Sequence, residues 1–184
     1  MLRPIHFDTI VMLVVGGLLS FAVAAGAFPY GIVAGPDGAL WFTELNASKI
    51  GRITTAGVVT NLYPTLTASA GPAEITVGPD GALWFTEESA PAIGRITTAG
   101  VVTEMSGLVS TAVPFGITTG SDGALWFTDR SAVQGQIDRM TTGGSLLTFN
   151  VPGSGAAPWS ITSGPDGNLW FTTSGTGKIG RITP

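Results

Sequence analysis

Apolar residues in this chain fall into short runs, not long helical stripes, and the runs return on a fixed beat. The run Leu-Trp-Phe-Thr begins at Leu40, Leu83, Leu125 and Leu169, each time after a Gly-Pro-Asp-Gly or Gly-Ser-Asp-Gly stretch. Trp41, Trp84, Trp126 and Trp170 are therefore 43, 42 and 44 residues apart. Repeats of ~40–50 residues made of short strands point to propeller blades. In the second repeat the strand-like segments are residues 74–77, 82–86, 93–97 and 101–105. Pro79-Asp80-Gly81 joins the first pair, and Thr98-Ala99-Gly100 the second. In such turns Pro presets one dihedral, Asp bonds its own backbone, and Gly supplies positive φ. The expected fold is all-β: a β-propeller of four-stranded antiparallel blades, with about four blades at residues 28–70, 71–113, 114–157 and 158–184 in a partial or incompletely closed ring.

Leu-Trp-Phe does not alternate, as a strand with one wet face would. Stacked blades bury both faces of a strand, which explains the run and assigns the four tryptophans to packing between blades. A second column, Arg52, Arg95, Arg139 and Arg181, also recurs once per repeat. Its expected partners are Asp37, Asp80, Asp122 and Asp166 or backbone carbonyls, since the guanidinium fork suits a carboxylate better than an ammonium does; anion binding is the competing role. The third repeat is the loosest, with Asp138 where the others have Gly and Met140 where they have Ile.

The pattern changes at both ends. The fourth repeat runs to Pro184 without a fourth strand, and an open blade leaves unpaired edges. A fragment of a longer ring is the favoured explanation, over a four-bladed ring with imperfect closure or self-association of two chains through the open last blade. At the other end, residues 1–27 lie outside the repeat. Arg3 precedes an uncharged apolar stretch from Thr9 that finishes in Ala25-Gly26-Ala27. This has the layout of a secretory signal peptide cleaved before Phe28, or of an apolar helix retained as a membrane anchor. Secretion, or a periplasmic or other extracytoplasmic location, is expected either way, with membrane contact only through this segment if it stays.

Composition narrows the functional classes. The chain has no cysteine, which removes disulfide scaffolds and thiolate metal sites. Its formal charge of −4 argues against nucleic acid as a partner, because phosphate neutralisation needs clustered Lys and Arg.

In an antiparallel meander the one–two and three–four turns share one end of the disc. Those turns are nearly identical in every repeat, whereas the connections at the other end all differ. Recognition belongs on loops that are free to diverge, so a small-molecule or protein ligand is expected on the variable end. Two columns point there. Tyr30, Ala73, Phe115 and Trp159 each follow a proline at the start of strand one, and Glu44, Glu87, Asp129 and Thr173 end strand two. Tyr30, Glu74, Phe115 and Trp159 are the candidate ligand-binding residues. Glu44, Glu87 and Asp129 are the weaker candidates for a hard divalent cation, which takes oxygen ligands; capping of strand ends is the competing role.

Pro-x-Gly-Ile, Gly-Pro-Asp-Gly-Asn/Ala-Leu-Trp-Phe-Thr-Glu and Ile-Gly-Arg-Ile-Thr-Thr-x-Gly together resemble the repeats of the streptogramin B lyase (virginiamycin B lyase) family. The resemblance implies a seven-bladed disc, of which this chain would hold about half. It also implies a carbon–oxygen lyase that opens a cyclic depsipeptide by elimination, with histidine as base and Mg2+ stabilising an enolate. The family's histidines map onto Tyr30, Ala73, Phe115 and Trp159, none of which is His; the chain's one histidine is His6. The expectation is therefore a virginiamycin B lyase-like binding or interaction module without catalytic residues of its own. A Mg-dependent lyase and a structural cell-surface repeat are the alternatives.

Overall fold

The structure, a computed structural model, describes residues 19–131 and 135–184. Its fifteen strands form four antiparallel sheets in strict chain order. The first blade holds β1 (Pro29–Ala34), β2 (Leu40–Glu44), β3 (Lys49–Ile53) and β4 (Val59–Pro64). The second holds β5 (Pro72–Val77), β6 (Leu83–Glu87), β7 (Ala92–Ile96) and β8 (Val102–Met105). The third holds β9 (Pro114–Thr119), β10 (Leu125–Asp129), β11 (Gln136–Met140) and β12 (Leu146–Asn150). The fourth has three strands, β13 (Pro158–Ser163), β14 (Leu169–Thr173) and β15 (Lys178–Ile182), so β15 is an edge within this chain. The apolar N-terminal helix expected over residues 1–27 is not seen at residues 19–27, which carry no helix; residues 1–18 lie outside the described residues. Among the described residues no helix is long and apolar enough to cross a membrane.

Each Pro-Asp-Gly turn closes as its chemistry dictates. Gly81 takes φ +72°, and Asp80 Oδ1 accepts a bond from Ala82 N at 3.2 Å. The same carboxylate does more than the sequence suggested. Asp80 Oδ1 also accepts from Trp84 Nε1 at 2.9 Å, while Oδ2 takes Arg95 Nε at 2.7 Å. Asp37 and Asp122 repeat this latch with Trp41 and Arg52, and with Trp126 and Arg139. Burial pushes these three carboxyls up, but the bonds from indole and guanidinium prevail and hold them below the usual carboxylate range. In the fourth blade Trp170 still bonds Asp166 at 3.0 Å, yet Arg181 stands 3.9 Å away.

Blades stack through one side of strand two and the other side of the next. Trp41, Ile50, Ile75, Leu83, Phe85 and Ile96 form one apolar seam, and equivalent clusters join the second blade to the third and the third to the fourth. Trp41, Trp84 and Trp126 are fully buried there, whereas Trp170 on the last blade is 37% exposed. A polar stitch accompanies each seam. Thr43 Oγ1 donates to Ala73 O at 2.6 Å, Thr86 Oγ1 to Phe115 O at 2.6 Å, and Thr128 Oγ1 to Trp159 O at 2.9 Å. Within a blade the cross-strand pair fixes a glycine: Gly94 lies opposite Phe85, whose ring lies where its side chain would be. The third blade carries Asp138 at the corresponding place, buried and bonded by Thr148 Oγ1 at 2.5 Å. Burial, opposed by that bond and reinforced by Asp129, raises its carboxyl to about 6.

Candidate functional site

Strand one of every blade starts at a proline, and in three blades the residue before it turns the chain into the strand at positive φ, Phe28 at +55°, Gly71 at +61° and Ala157 at +43°; the residue after the proline stands at the variable end. The structure brings three such residues together. The Tyr30 and Phe115 rings meet edge to face at 5.6 Å, and Phe115 and Trp159 are 4.6 Å apart. Phe28 stacks on Tyr30 at 6.3 Å and extends the apolar surface. Tyr30 and Trp159 remain 39% and 41% exposed, while Ala73 and Phe115 are buried.

Sequence reasoning missed the cation in this cluster. Arg130, the residue after β10, places its guanidinium carbon 3.9 Å from the Phe115 ring centre and 4.4 Å from that of Trp159. Its Nη2 pairs with Glu88 Oε1 at 3.1 Å, and its buried Nε has no hydrogen-bond partner among the described residues. Cation–π contacts of this kind gain strength where water is excluded. The signal was available: Arg130 and Glu88 each directly follow the strand-two carboxylate, in the two–three connections that vary between repeats. Residues 132–134 of the same connection lie outside the described residues.

Glu74 joins the group from β5. Its Oε2 lies 3.2 Å from where a side chain on Gly31 would begin, and burial pushes its carboxyl up. Burial also raises the Tyr30 phenol, with Glu74 and Glu88 adding to the shift and Arg130 opposing it. Tyr30, Glu74, Glu88, Phe115, Arg130 and Trp159 thus form one constellation, with an aromatic floor and charges of both signs at its margin.

The strand-two carboxylates behave differently, and the expected convergence of Glu44, Glu87 and Asp129 on one ion is not what the fold produces. Each sits in its own blade, and among the described residues no group of three or more His, Cys, Asp or Glu can hold a metal. Asp129 is a cap, its Oδ1 accepting from Val113 N and Ser131 N at 2.8 Å each. Glu44 and Glu87 are fully buried, with no hydrogen bond to either carboxyl oxygen among the described residues. Burial raises both, and Glu87 reaches about 8 with help from the nearby Glu104. The two carboxyls act on each other through charge, since no Glu87 oxygen meets hydrogen-bond geometry. Glu104 itself accepts from Thr67 N at 2.7 Å and Thr67 Oγ1 at 2.8 Å. With one of these carboxylates per blade, and Asp129 committed to two backbone N–H groups, these residues do not assemble the oxygen cage that a hard cation such as Mg2+ takes.

Known structures share this architecture. Virginiamycin B lyase from Staphylococcus aureus superposes with a TM-score of 0.85 at 42% identity, covering 91% of this chain and 57% of that one. A catalytically inactive variant of the same enzyme with quinupristin matches with a TM-score of 0.85 at 43% identity, over the same shares of the two chains. A virginiamycin B lyase from Saccharopolyspora erythraea is 56% identical over 32 residues, which is 17% of this chain and 11% of that protein. The chain thus spans just over half the length of the solved relatives. Because the model of the virginiamycin B lyase family matches residues 8–184, nearly the whole sequence, the chain belongs to that family.

Proposed function

We propose that this chain is an exported ligand-binding module whose site is the aromatic and charged cluster at the variable end. The observation that carries the reading is the grouping of Tyr30, Phe115 and Trp159, with Arg130 stacked on the last two. Aromatic faces offer apolar area at low entropic cost, while Glu74, Glu88 and Arg130 supply polar anchors for orientation. Such a surface suits a compact ligand that carries both rings and amide or ester carbonyls. The Staphylococcus aureus relative with quinupristin supports choosing that compound as the first probe. Export rests on the uncharged stretch that begins at Thr9 and on its small-residue ending.

Titration of the 184-residue chain with quinupristin, followed by tryptophan fluorescence, tests this. Saturable binding that Trp159→Ala weakens at least tenfold is the expected result. Unchanged affinity in that variant removes the site from consideration. No binding by a stably folded chain favours the structural cell-surface repeat.

One observation favours a second reading, in which the chain opens a depsipeptide lactone. Glu74 is a carboxylate raised by burial beside Tyr30, and a raised carboxylate is a better base near neutral pH than an ordinary one. Glu74 would take a proton from the carbon adjacent to the one that bears the ester's alkyl oxygen; a double bond forms between those two carbons as the carbon–oxygen bond breaks, and the acyl half leaves as a carboxylate. Turnover that disappears in Glu74→Gln while binding persists would establish this reading over the first.

A further inference from the structure

One buried carboxyl stands where the repeat has no need of it. Strand three of the other blades carries Gly51, Gly94 or Gly180 opposite the phenylalanine of strand two, whose ring would collide with any side chain there. In the third blade that place holds Asp138, opposite Phe127 and 2% exposed. A cavity of about 130 Å³ opens beside it, well above the ~10–15 Å³ that one water needs. It lies between the connection that enters the third blade, residues 106–113, and the face of that blade turned toward the second.

The lining has two halves. Leu108, Val109, Ala112 and Leu146 make an apolar side, and Asp129, Gln136, Asp138 and Thr148 a polar one. Strand register brings the polar four to one face, with Asp129 opposite Gln136 and Asp138 opposite Thr148. Each carboxyl has one oxygen engaged: Asp129 Oδ1 accepts from Val113 N and Ser131 N, and Asp138 Oδ1 from Thr148 Oγ1. The second oxygen of each receives no bond among the described residues, yet it is not sealed in as those of Glu44 and Glu87 are, so it faces the cavity. No cation of the surrounding elements answers these charges. Residues 106–113 and 145–150 contain no Lys, Arg or His. Arg139 is held by Asp122 at 2.6 Å, and Arg130 by Glu88 and two aromatic rings. Burial raises Asp138 to about 6, with the Thr148 bond opposing and Asp129 adding, so it is charged above pH 7. A buried charge is costly unless something pairs it.

We propose that this cavity binds a small primary ammonium ion, with its charged head between Asp129 and Asp138 and its short alkyl body against Leu108, Val109, Ala112 and Leu146. An ammonium has three N–H donors and no acceptor, which suits a site that offers acceptors. Two of these are the free carboxylate oxygens. The third is Gln136, whose amide N–H is spent on Asn150 Oδ1 at 2.9 Å, leaving its carbonyl oxygen to accept. A metal ion is the poorer match, because half of the wall offers no oxygen and among the described residues no group of three or more His, Cys, Asp or Glu can hold one. Tyr30, Phe115 and Trp159 take no part in this cavity, so it stands or falls apart from the aromatic cluster.

Calorimetric titration of the full 184-residue chain with propylammonium chloride at about pH 7.5 tests this. Saturable binding is expected, weakened at least tenfold in Asp138→Asn, which keeps the shape and removes the charge. Lowering the pH to about 5 weakens it in the parent, since Asp138 then takes up its proton. Asp138→Gly restores the residue of the other blades; it is the second variant, folded by circular dichroism, and it loses binding as well. Absence of saturable binding by the folded parent overturns the proposal. So do equal binding of 1-propanol, affinity that both Asp138 variants leave unchanged, and calcium chloride that binds more tightly than propylammonium.

Discussion

The aspartate latch gives a prediction whose size can be worked out. Asp80 accepts three bonds, from Trp84 Nε1, Ala82 N and Arg95 Nε. Asp80→Ala leaves the indole N–H of a fully buried Trp84 without a partner, which costs about 1–2 kcal/mol. The turn bond contributes roughly 0.5–1 kcal/mol. Arg95 and Asp80 are each about a quarter exposed, so their charge-assisted bond is discounted to about 1 kcal/mol, because water resolvates the freed guanidinium. The expected loss is about 3 kcal/mol. Asp166→Ala removes the same residue type from the same turn, but Trp170 stays wet and Arg181 stands 3.9 Å away, so its effect should be less than half as large. Urea unfolding followed by circular dichroism, with m-values compared, measures both. Equal losses, or a loss under about 1 kcal/mol for Asp80→Ala, would refute the view that burial of the indole sets the strength of the latch.

Other outcomes follow from the seams and the site. Burial and Glu104 raise Glu87 to about 8, above its unfolded value near ~4.3, so its contribution to stability is complete below ~4 and is lost as pH rises through 8. Thermal melts should show Glu87→Gln flattening that decline, and a variant as pH-sensitive as the parent would exclude Glu87 as its source. The latch aspartates work the other way: their folded values are depressed, and their contribution disappears as pH falls through those values. Thr86 Oγ1 accepts from Glu74 N at 3.2 Å and donates to Phe115 O at 2.6 Å, so Thr86→Val should cost about 2 kcal/mol in urea unfolding. Arg130→Ala frees the Phe115 and Trp159 faces and leaves Glu88 unpaired, so tryptophan emission should change while the melting temperature moves by only a few degrees. An unchanged spectrum would place the guanidinium away from Trp159.

The sequence alone determined the blades. A turn such as Pro79-Asp80-Gly81 and an unbroken Leu-Trp-Phe run are local statements: the first fixes a hairpin through dihedral preference, and the second requires two apolar neighbours. The pairing of the Arg and Asp columns was legible for the same reason, since recurrence in every repeat holds their relative positions constant. The indole as third member of the latch was not foreseen, because its bond depends on how deeply the ring is set between blades. The site was legible in part. Tyr30, Glu74, Phe115 and Trp159 were named from strand-one chemistry, but Arg130 and Glu88 occur once each in unlike loops, where no repetition marks them. Glu44, Glu87 and Asp129 form a regular column in the sequence, yet the fold distributes them over separate blades, because one residue per wedge lies at one radius without meeting its neighbours. Tertiary structure alone placed Phe21 against the three–four turn of the first blade. No local pattern distinguishes Ser20-Phe21-Ala22-Val23 from the rest of an apolar leader until Gly57 is seen beneath its ring.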